Sequence, residues 1–408
     1  MKKRVLVYSH DTFGLGNIRR MLEIARHLVE VDEDVNVLIV SGSPMLHAFR
    51  IPSRIDYLKL PCLARSIDGN YGVKFLEMGY TETIQMRSNL IVSVVRDFRP
   101  DLILVDKKPL GVDNELDAAL RSTRNFRNPP KIVLLLRDIL DSPEATIPVW
   151  DKHRYHDLID TLYDHVLVVG SPEVFDMAKE YRFPKSTNAK LSYCGYIGRA
   201  RSRVRRDDIR LSLGVTNGKL VVVTVGGGED GRHVITNYLA GLAMLPPTAA
   251  IKTLMVCGPE MSESGRGEIE CIASGLTNVI VREFSDDVMG LIDAADLVVA
   301  MGGYNTVCEI MTLRKRAILI PRTRPVQEQW IRAERLAVLG LARVIHPDLL
   351  TPLGMIRTVY EELDRGNVHA GQMYRLDMNG LDRVAEAVLG NLPMHLPARR
   401  EHMMRAGI

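Results

Sequence analysis

The chain reads as an α/β protein of two Rossmann-like domains facing across a cleft, and three observations predict this. Short continuous apolar runs, of the kind buried on both faces of a parallel sheet, recur along both halves, and most are followed by a helical stretch. Several of these runs end in glycine-rich or charged turns, at the edge where α/β sheets hold ligands. The length of 408 residues exceeds one ordinary core and fits two domains of about 200 residues.

Composition narrows the function. Hydrophobic content of 46% and charged content of 25% are those of a soluble globular chain. A net charge of +3 is small for this size and argues against a nucleic-acid partner. Cys62, Cys194, Cys257, Cys271 and Cys308 are scattered, with no CxxC pair, which suits buried thiols in a reducing cytoplasm better than disulfides or zinc. Behind Lys2-Lys3-Arg4 the apolar run is only Val5 to Tyr8, a strand rather than a signal-peptide core, and no apolar run is long enough to span a membrane. The expectation is a cytoplasmic protein.

Val5–Ser9 is the expected first strand, running into His10-Asp11-Thr12-Phe13-Gly14-Leu15-Gly16-Asn17. A helix, Ile18 to Val29, follows with Met21, Leu22, Ala25 and Leu28 on its apolar face, and a strand at Val35–Val40 closes a βαβ unit. Gly14-x-Gly16 lacks the third glycine of the dinucleotide fingerprint, and Ser41-Gly42 stands where an acidic residue would end the second strand, so a nicotinamide cofactor is disfavoured. His10 and Asp11 are the titratable groups of this loop and the candidate catalytic bases; Asn17 takes no proton at neutral pH. The D-x-D of Asp32-Glu33-Asp34 lies at a helix end and reads as solvated, so no metal site is expected.

Tyr57–Leu60 is a strand, Cys62 to Tyr80 a long loop, and Glu82–Phe98 a helix. Strands at Pro100–Asp106, Lys131–Leu136 and His165–Val169 follow. Asp106, Lys107, Arg137 and Asp138, at or just beyond the ends of the first two, are candidates for the acceptor side of a cleft; solvated strand ends are the alternative reading. Tyr193–Ile197 is the last strand of a first domain spanning 1–198. Five arginines between Arg199 and Arg206 then suggest a solvated linker, 199–210.

The second domain, 211–390, opens with the strand Leu220–Val225, which ends in Gly226-Gly227-Gly228-Glu229-Asp230-Gly231 ahead of a helix from about Val234. Glycines at this turn let backbone approach a diphosphate, which assigns Gly227 and Gly228 to phosphate and leaves the two acids open. Lys252–Cys257 and Val279–Val281 continue the sheet. The stretch Leu297–Gln329 carries most of the chemistry: a buried strand, Leu297–Ala300, the turn Gly302-Gly303, and a helix from Tyr304. That turn offers unpaired backbone N–H groups and a positive dipole end to a phosphate. Asn305 and Glu309, four apart, share one helix side, and Glu309 can accept two hydrogen bonds from a ribose diol. The next strand, Ala317–Ile320, ends in Pro321-Arg322 ahead of Gln327-Glu328-Gln329. Together these read as a nucleotide-sugar site. A helix Trp330–Leu339 ends at Gly340, helices at about 352–364 and 379–389 follow, and 391–408 is a basic tail.

Leu297–Gln329 resembles the C-terminal domain of the peptidoglycan N-acetylglucosaminyltransferase family, glycosyltransferase family 28. Gly302, Gly303, Thr306-Val307-Cys308-Glu309, Pro321 and Glu328-Gln329 match the family's turn, its Thr-Val-x-Glu, its strand-ending proline and its paired glutamines, with Glu328 replacing the first glutamine. The first loop is similar to the SHDTFGLGH turn, followed by two arginines, of uncharacterised bacterial relatives. Ser9 to Gly16 and Arg19-Arg20 match it, and Asn17 replaces the histidine. The resemblance is closest over 297–340, weaker over 5–30 and 220–231, and thin between. It implies a B-type glycosyltransferase fold and an inverting, metal-independent transfer from a nucleoside-diphosphate sugar, most simply a UDP-sugar, with no other cofactor. Donor-binding positions would be Gly14, Gly16 and Asn17 of the first domain, and Gly227, Gly228, Phe284, Gly302, Gly303, Tyr304, Asn305, Thr306, Glu309, Arg322, Glu328 and Gln329 of the second. Phe284 matches the loop that holds the base, and an ordinary core aromatic is its alternative. The acceptor would be a glycan, a lipid-linked sugar or a small molecule, the lipid-linked case bringing the protein to the inner face of the membrane. A nucleotide-sugar 2-epimerase of the same fold and a non-catalytic nucleotide-sugar-binding protein are the competing readings.

Overall fold

A computed structural model of the chain describes residues 2–10, 16–65, 71–228, 230–246, 251–365 and 375–392. Asp11, Gly14, Glu229 and the basic tail from 393 onward lie outside them.

The first domain is built on β1 (Lys3–Ser9), β2 (Val35–Ser41), β3 (Ile55–Lys59), the short pair β4 (Leu63–Arg65) and β5 (Tyr71–Val73), β6 (Leu102–Asp106), β7 (Lys131–Arg137), β8 (His165–Val169) and β9 (Leu191–Tyr193). Seven of these form a parallel sheet in the order β3-β2-β1-β6-β7-β8-β9, while β4 and β5 pair antiparallel apart from it. Register fixes what meets at the C-terminal edge. Tyr8 lies beside Val105 and Asp106 beside Leu135, so the residues following β1, β6 and β7 are neighbours there. The second domain holds β10 (Lys219–Thr224), β11 (Ile251–Val256), β12 (Val279–Arg282), β13 (Leu297–Ala300), β14 (Ala317–Leu319) and β15 (Arg343–Val344), all parallel in the order β12-β11-β10-β13-β14-β15. In both sheets β1 or β10 lies centrally, and the order turns back on itself beside it, where open α/β sheets place ligands. Each of Leu297, Val298, Val299 and Ala300 is buried, as a strand covered on both faces requires.

The chain crosses between the domains twice. The expected strand Tyr193–Ile197 is Leu191–Tyr193, and the residues after it pair instead with the returning chain: Tyr196 N–H bonds the Asp377 carbonyl at 2.7 Å and Gly198 N–H the Met378 carbonyl at 3.1 Å. Glycine is needed here, because a Cβ on Gly380 would stand 2.6 Å from the Tyr196 carbonyl oxygen. The last helix, Gly380–Gly390, then packs on the first-domain helix Gly16–Val31. The arginine-rich segment is not a solvated linker throughout. The Arg199 side chain, 8% exposed, meets Glu23 and Asn305, and Arg206 and Arg210, on a helix Arg206–Ser212, both pair with Asp296. Among the described residues, no helix is long and apolar enough to cross a membrane.

Where the two domains meet, Tyr196 and Tyr304 stack with centroids 5.9 Å apart. The guanidiniums of Arg20 and Arg332 lie 5.8 and 5.7 Å from the Tyr304 ring centre. Such contacts strengthen when desolvated, as these are.

Candidate functional site

On the first-domain side, β1 delivers His10 to the sheet edge fully buried, its N–H bonded to Asp106 Oδ2 at 3.3 Å. Neither ring nitrogen has a hydrogen-bond partner among the described residues. Burial, and then the charges of Lys107, Lys108, Arg87 and Arg137, hold its pKa well below the ordinary histidine value, so the ring is neutral. Beneath it, Tyr8 donates to Glu115 at 2.6 Å and Arg87 grips the same carboxylate through Nε and Nη2, a buried network that supports the loop.

The structure corrects several first-domain assignments. Asp106 is buried and bonded by Arg20 at 2.6 Å, so it braces the loop rather than facing a ligand. Asn17 is buried, donating to the His10 carbonyl and accepting from Arg20 at 3.2 Å, which makes it part of the same brace. Asp138 is wholly buried and gripped by Arg332 through two bonds of 2.7 and 2.8 Å. These pairs consume the carboxylates that an acid at a strand end seemed to offer. Lys107 and Arg137 are different: both are only half-buried. Lys107 is only half-buried by surface exposure, yet removal from water, the Arg137 charge and Lys108 lower its pKa to about 7. Arg137 meets Glu328 of the second domain at 2.8 Å.

On the second-domain side, Gly302 takes a φ of 78°, the left-handed conformation glycine adopts freely, and its carbonyl accepts from Arg332 at 3.1 Å. The helix Tyr304–Leu313 starts at Gly303 with no side-chain cap, leaving its first amides for a ligand. Gly227 is exposed, whereas Gly228 is buried with φ of 98° and no room for a Cβ beside the Cys257 carbonyl, so its glycine serves the packing of the turn. Arg322 reaches Asp230 at 3.3 Å and its N–H bonds Gln329 Oε1 at 3.1 Å. Thr306 is half-buried on the same helix, and Phe284 is 55% exposed, so it is not a core aromatic. Tyr304 is corrected: its ring is buried in the interdomain stack.

Glu309 sits one turn inside that helix, nearly buried, and Arg19 of the first domain meets it at 3.3 Å. Burial raises its pKa, opposed by Arg19 and Arg199. Asn305 accepts from Arg199 at 2.9 Å and donates to the Gly16 carbonyl at 3.3 Å. The start of the first-domain helix therefore covers the Asn305–Glu309 face in this state. Glu328 is buried too; burial would raise its pKa, but Arg137, Arg332, Lys107 and Arg322 together lower it to about 2, so it stays charged.

Arg332 is the residue that sequence reading missed. It joins Asp138, Glu328 (3.5 Å), the Tyr304 ring and the Gly302 carbonyl, linking the first domain directly to the glycine turn. Its one local signal is the i, i+4 spacing from Glu328. Among the described residues, no group of three or more His, Cys, Asp or Glu side chains is placed to hold a metal ion.

Residues 221–386 match the family model described as the glycosyltransferase family 28 C-terminal domain. An uncharacterized glycosyltransferase of Methanopyrus kandleri is 26% identical over 188 residues, 46% of this chain and 50% of that protein. The UDP-N-acetylglucosamine--N-acetylmuramyl-(pentapeptide) pyrophosphoryl-undecaprenol N-acetylglucosamine transferase of Glaesserella parasuis is 27% identical over 137 residues, 34% of this chain and 38% of that one. The chain thus spans half or less of the length of these curated relatives. Among solved structures, Acinetobacter baumannii MurG superposes with a TM-score of 0.61 at 13% identity, covering 95% of this chain and 99% of that one. A putative UDP-N-acetylglucosamine 2-epimerase of Listeria monocytogenes gives 0.64 at 15%, covering 95% and 96%. Residues 221–386 therefore resemble the glycosyltransferase family 28 C-terminal domain, and the whole chain has the two-domain B-type fold of these solved structures.

Proposed function

We propose that the protein is an inverting glycosyltransferase that moves a sugar from a UDP donor to an acceptor hydroxyl. The observation that carries this reading is the unit Gly302–Glu309. It combines a left-handed glycine turn, uncapped helix amides, and a carboxylate one turn inside the helix, all within the family 28 match. The diphosphate would lie on the amides of Gly302 and Gly303 at the positive helix end, with Gly227 and Arg322 beside it. The ribose diol would bond Glu309, displacing Arg19. Glu328 and Gln329 would take sugar hydroxyls, the ionised Glu328 as an acceptor only.

In the transfer, the acceptor oxygen forms a bond to the sugar's anomeric carbon from the face opposite the diphosphate. The bond from that carbon to the phosphate oxygen breaks, and its electron pair leaves on UDP. The acceptor's proton passes to neutral His10. The amides, the helix dipole and Arg322 would stabilise the charge on the departing diphosphate, and no step in this scheme uses a metal ion. The reaction would occur in the cytoplasm, reaching a lipid-linked acceptor at the membrane surface if the acceptor is of that kind. A 2-epimerase would need several acid–base groups around the sugar, and Asp106 and Asp138, both taken by arginines, weigh against it.

The test is calorimetric titration of wild type and Glu309→Ala with UDP, GDP and dTDP, with and without magnesium. Loss of a charge-assisted ribose contact costs about 1.5–3 kcal/mol, so the dissociation constant for UDP should rise roughly 10- to 150-fold in the variant. Binding of no nucleotide, or binding indifferent to Glu309, would remove the donor site from this position.

A further inference from the structure

The helix Tyr80–Phe98 of the first domain turns one face inward and leaves the other open. Its buried residues are Thr83, Arg87, Ile91 and Val95, at helical spacing, and Arg87 grips Glu115 beneath Tyr8. The opposite face carries none of the site residues. A trough of about 800 Å³ runs along it, lined in part by Met78, Glu82, Gln85, Met86, Asn89 and Ser93. Leu90 at its side is 37% exposed, and Phe75 and Leu76, just before the helix, are 66% and 45% exposed. Apolar groups gathered on one exposed surface mark a place of contact.

The polar residues of this face are ordered so that the face fits itself. Glu82, Asn89 and Arg96 recur every seven residues, so they stand almost in line, drifting by only about 20° per step. The acid lies at one end, the amide in the middle and the guanidinium at the other end. Glu82 pairs with no cation among the described residues, and Arg96 pairs only with its neighbour Asp97, at 2.9 Å and largely exposed. An exposed pair of that kind yields readily to a better partner. A second copy of the helix, turned antiparallel about Asn89, sets Glu82 of each copy against Arg96 of the other and Gln85 against Ser93. The two Asn89 amides, each both donor and acceptor, then face one another.

We propose that the chain pairs with a second copy of itself through this face, the two helices packing antiparallel about a two-fold axis at Asn89. The proposal is independent of the glycosyltransferase reading. Charge selects the occupant. A lipid surface would strip water from Glu82 and from the Gln85–Asn89 pair, bonded at 3.0 Å, and give nothing in return, whereas a second copy answers each of them. Small Ser93 and flexible Met86 beside the axis let the helices approach closely. The helix has 19 residues, about 28 Å of contact, and the antiparallel arrangement places one exposed Phe75–Leu76 pair at each end to lengthen it.

The test is sedimentation velocity of the full chain over a rising range of concentration, with melting temperature as the check on folding. Wild type should sediment as a dimer. Glu82→Arg or Arg96→Glu, each placing like charges together twice per dimer, should weaken dimerisation at least tenfold with the melting temperature of the monomer unchanged. The double variant Glu82→Arg/Arg96→Glu restores both pairs with their signs reversed and should recover most of the loss. Under mild oxidation, Asn89→Cys should link two copies by a disulfide, whereas Glu82→Cys, away from the axis, should link no more than wild type, whose exposed Cys271 sets the background. The proposal is overturned if wild type is monomeric throughout, if its dimer ignores the single charge reversals, or if the double variant dimerises no better than the singles. It is also overturned if a monomeric chain binds vesicles of phosphatidylcholine and phosphatidylglycerol and Phe75→Ser abolishes that binding, because the face would then belong to a lipid surface.

Discussion

Replacing Arg332 by methionine probes how the two domains are joined. The guanidinium is fully buried and makes two bonds to Asp138, a third to the Gly302 carbonyl, and a cation–π contact with Tyr304. Methionine keeps most of the side-chain volume but leaves the Asp138 carboxylate at zero exposure, with only the Tyr196 hydroxyl at 3.1 Å and the Ile139 N–H at 2.9 Å. Breaking a buried pair from one side costs about 3–5 kcal/mol, because the remaining charge is stranded. At roughly 2–4 °C per kcal/mol for domains of this size, the melting temperature should fall by about 6–20 °C. Trp150 in the first domain and Trp330, two residues before Arg332, report the transition from both sides. Adding Asp138→Asn removes the stranded charge, so the double variant should be more stable than the two single losses summed. A loss below about 1 kcal/mol for Arg332→Met, or simple additivity, would refute this account of the joint.

Three further outcomes follow from the site. His10→Gln should lower kcat by roughly 10²–10⁴-fold, and the acidic limb of the wild-type kcat/KM profile should lie below pH 6.5, because the depressed pKa keeps His10 neutral there; a limb above 6.5 would contradict it. Glu328, whose folded pKa of about 2 lies below its ordinary value of 4.5, contributes stability that is present above pH 4.5 and lost as pH falls toward 2. Glu328→Gln should therefore flatten acid unfolding in that window by up to roughly 3 kcal/mol, and an unchanged pH profile would argue against the coupling. A Cβ on Gly302 would make only ordinary van der Waals contacts, the nearest with Leu319 at 3.8 Å, but the φ of 78° means that Gly302→Ala should still cost about 1–2 kcal/mol, read by urea unfolding; a neutral effect would mean the turn is not held left-handed.

The sheets were legible because a strand buried on both faces must be apolar throughout, as Leu297–Ala300 and Val133–Leu136 are. The face shared by Asn305 and Glu309 was legible from their spacing, and Glu309 stands where expected. What the spacing could not show is Arg19, which lies 290 residues away in the chain and covers that carboxylate. The same distance problem hid the fate of Asp106 and Asp138, whose partners lie 86 and 194 residues away. Strand-end position says that a carboxylate is near the cleft edge, and only the fold says whether an arginine has taken it. Tyr304 misled for a related reason: a tyrosine starting a helix after a glycine turn can point to ligand or to core, and Tyr196 decided for the core. The helix Pro143–Lys152 escaped because Pro148 interrupts its pattern, while Pro143 suits its first turn.

The central claim is that a nucleoside diphosphate sits on the Gly302–Glu309 unit, and a crystal structure with UDP tests it most directly. The expected result places the diphosphate against the amides of Gly302 and Gly303 and the ribose hydroxyls on Glu309, with Arg19 released from that carboxylate. A diphosphate found between Lys107 and Arg137, with the Arg19–Glu309 pair intact, would contradict it.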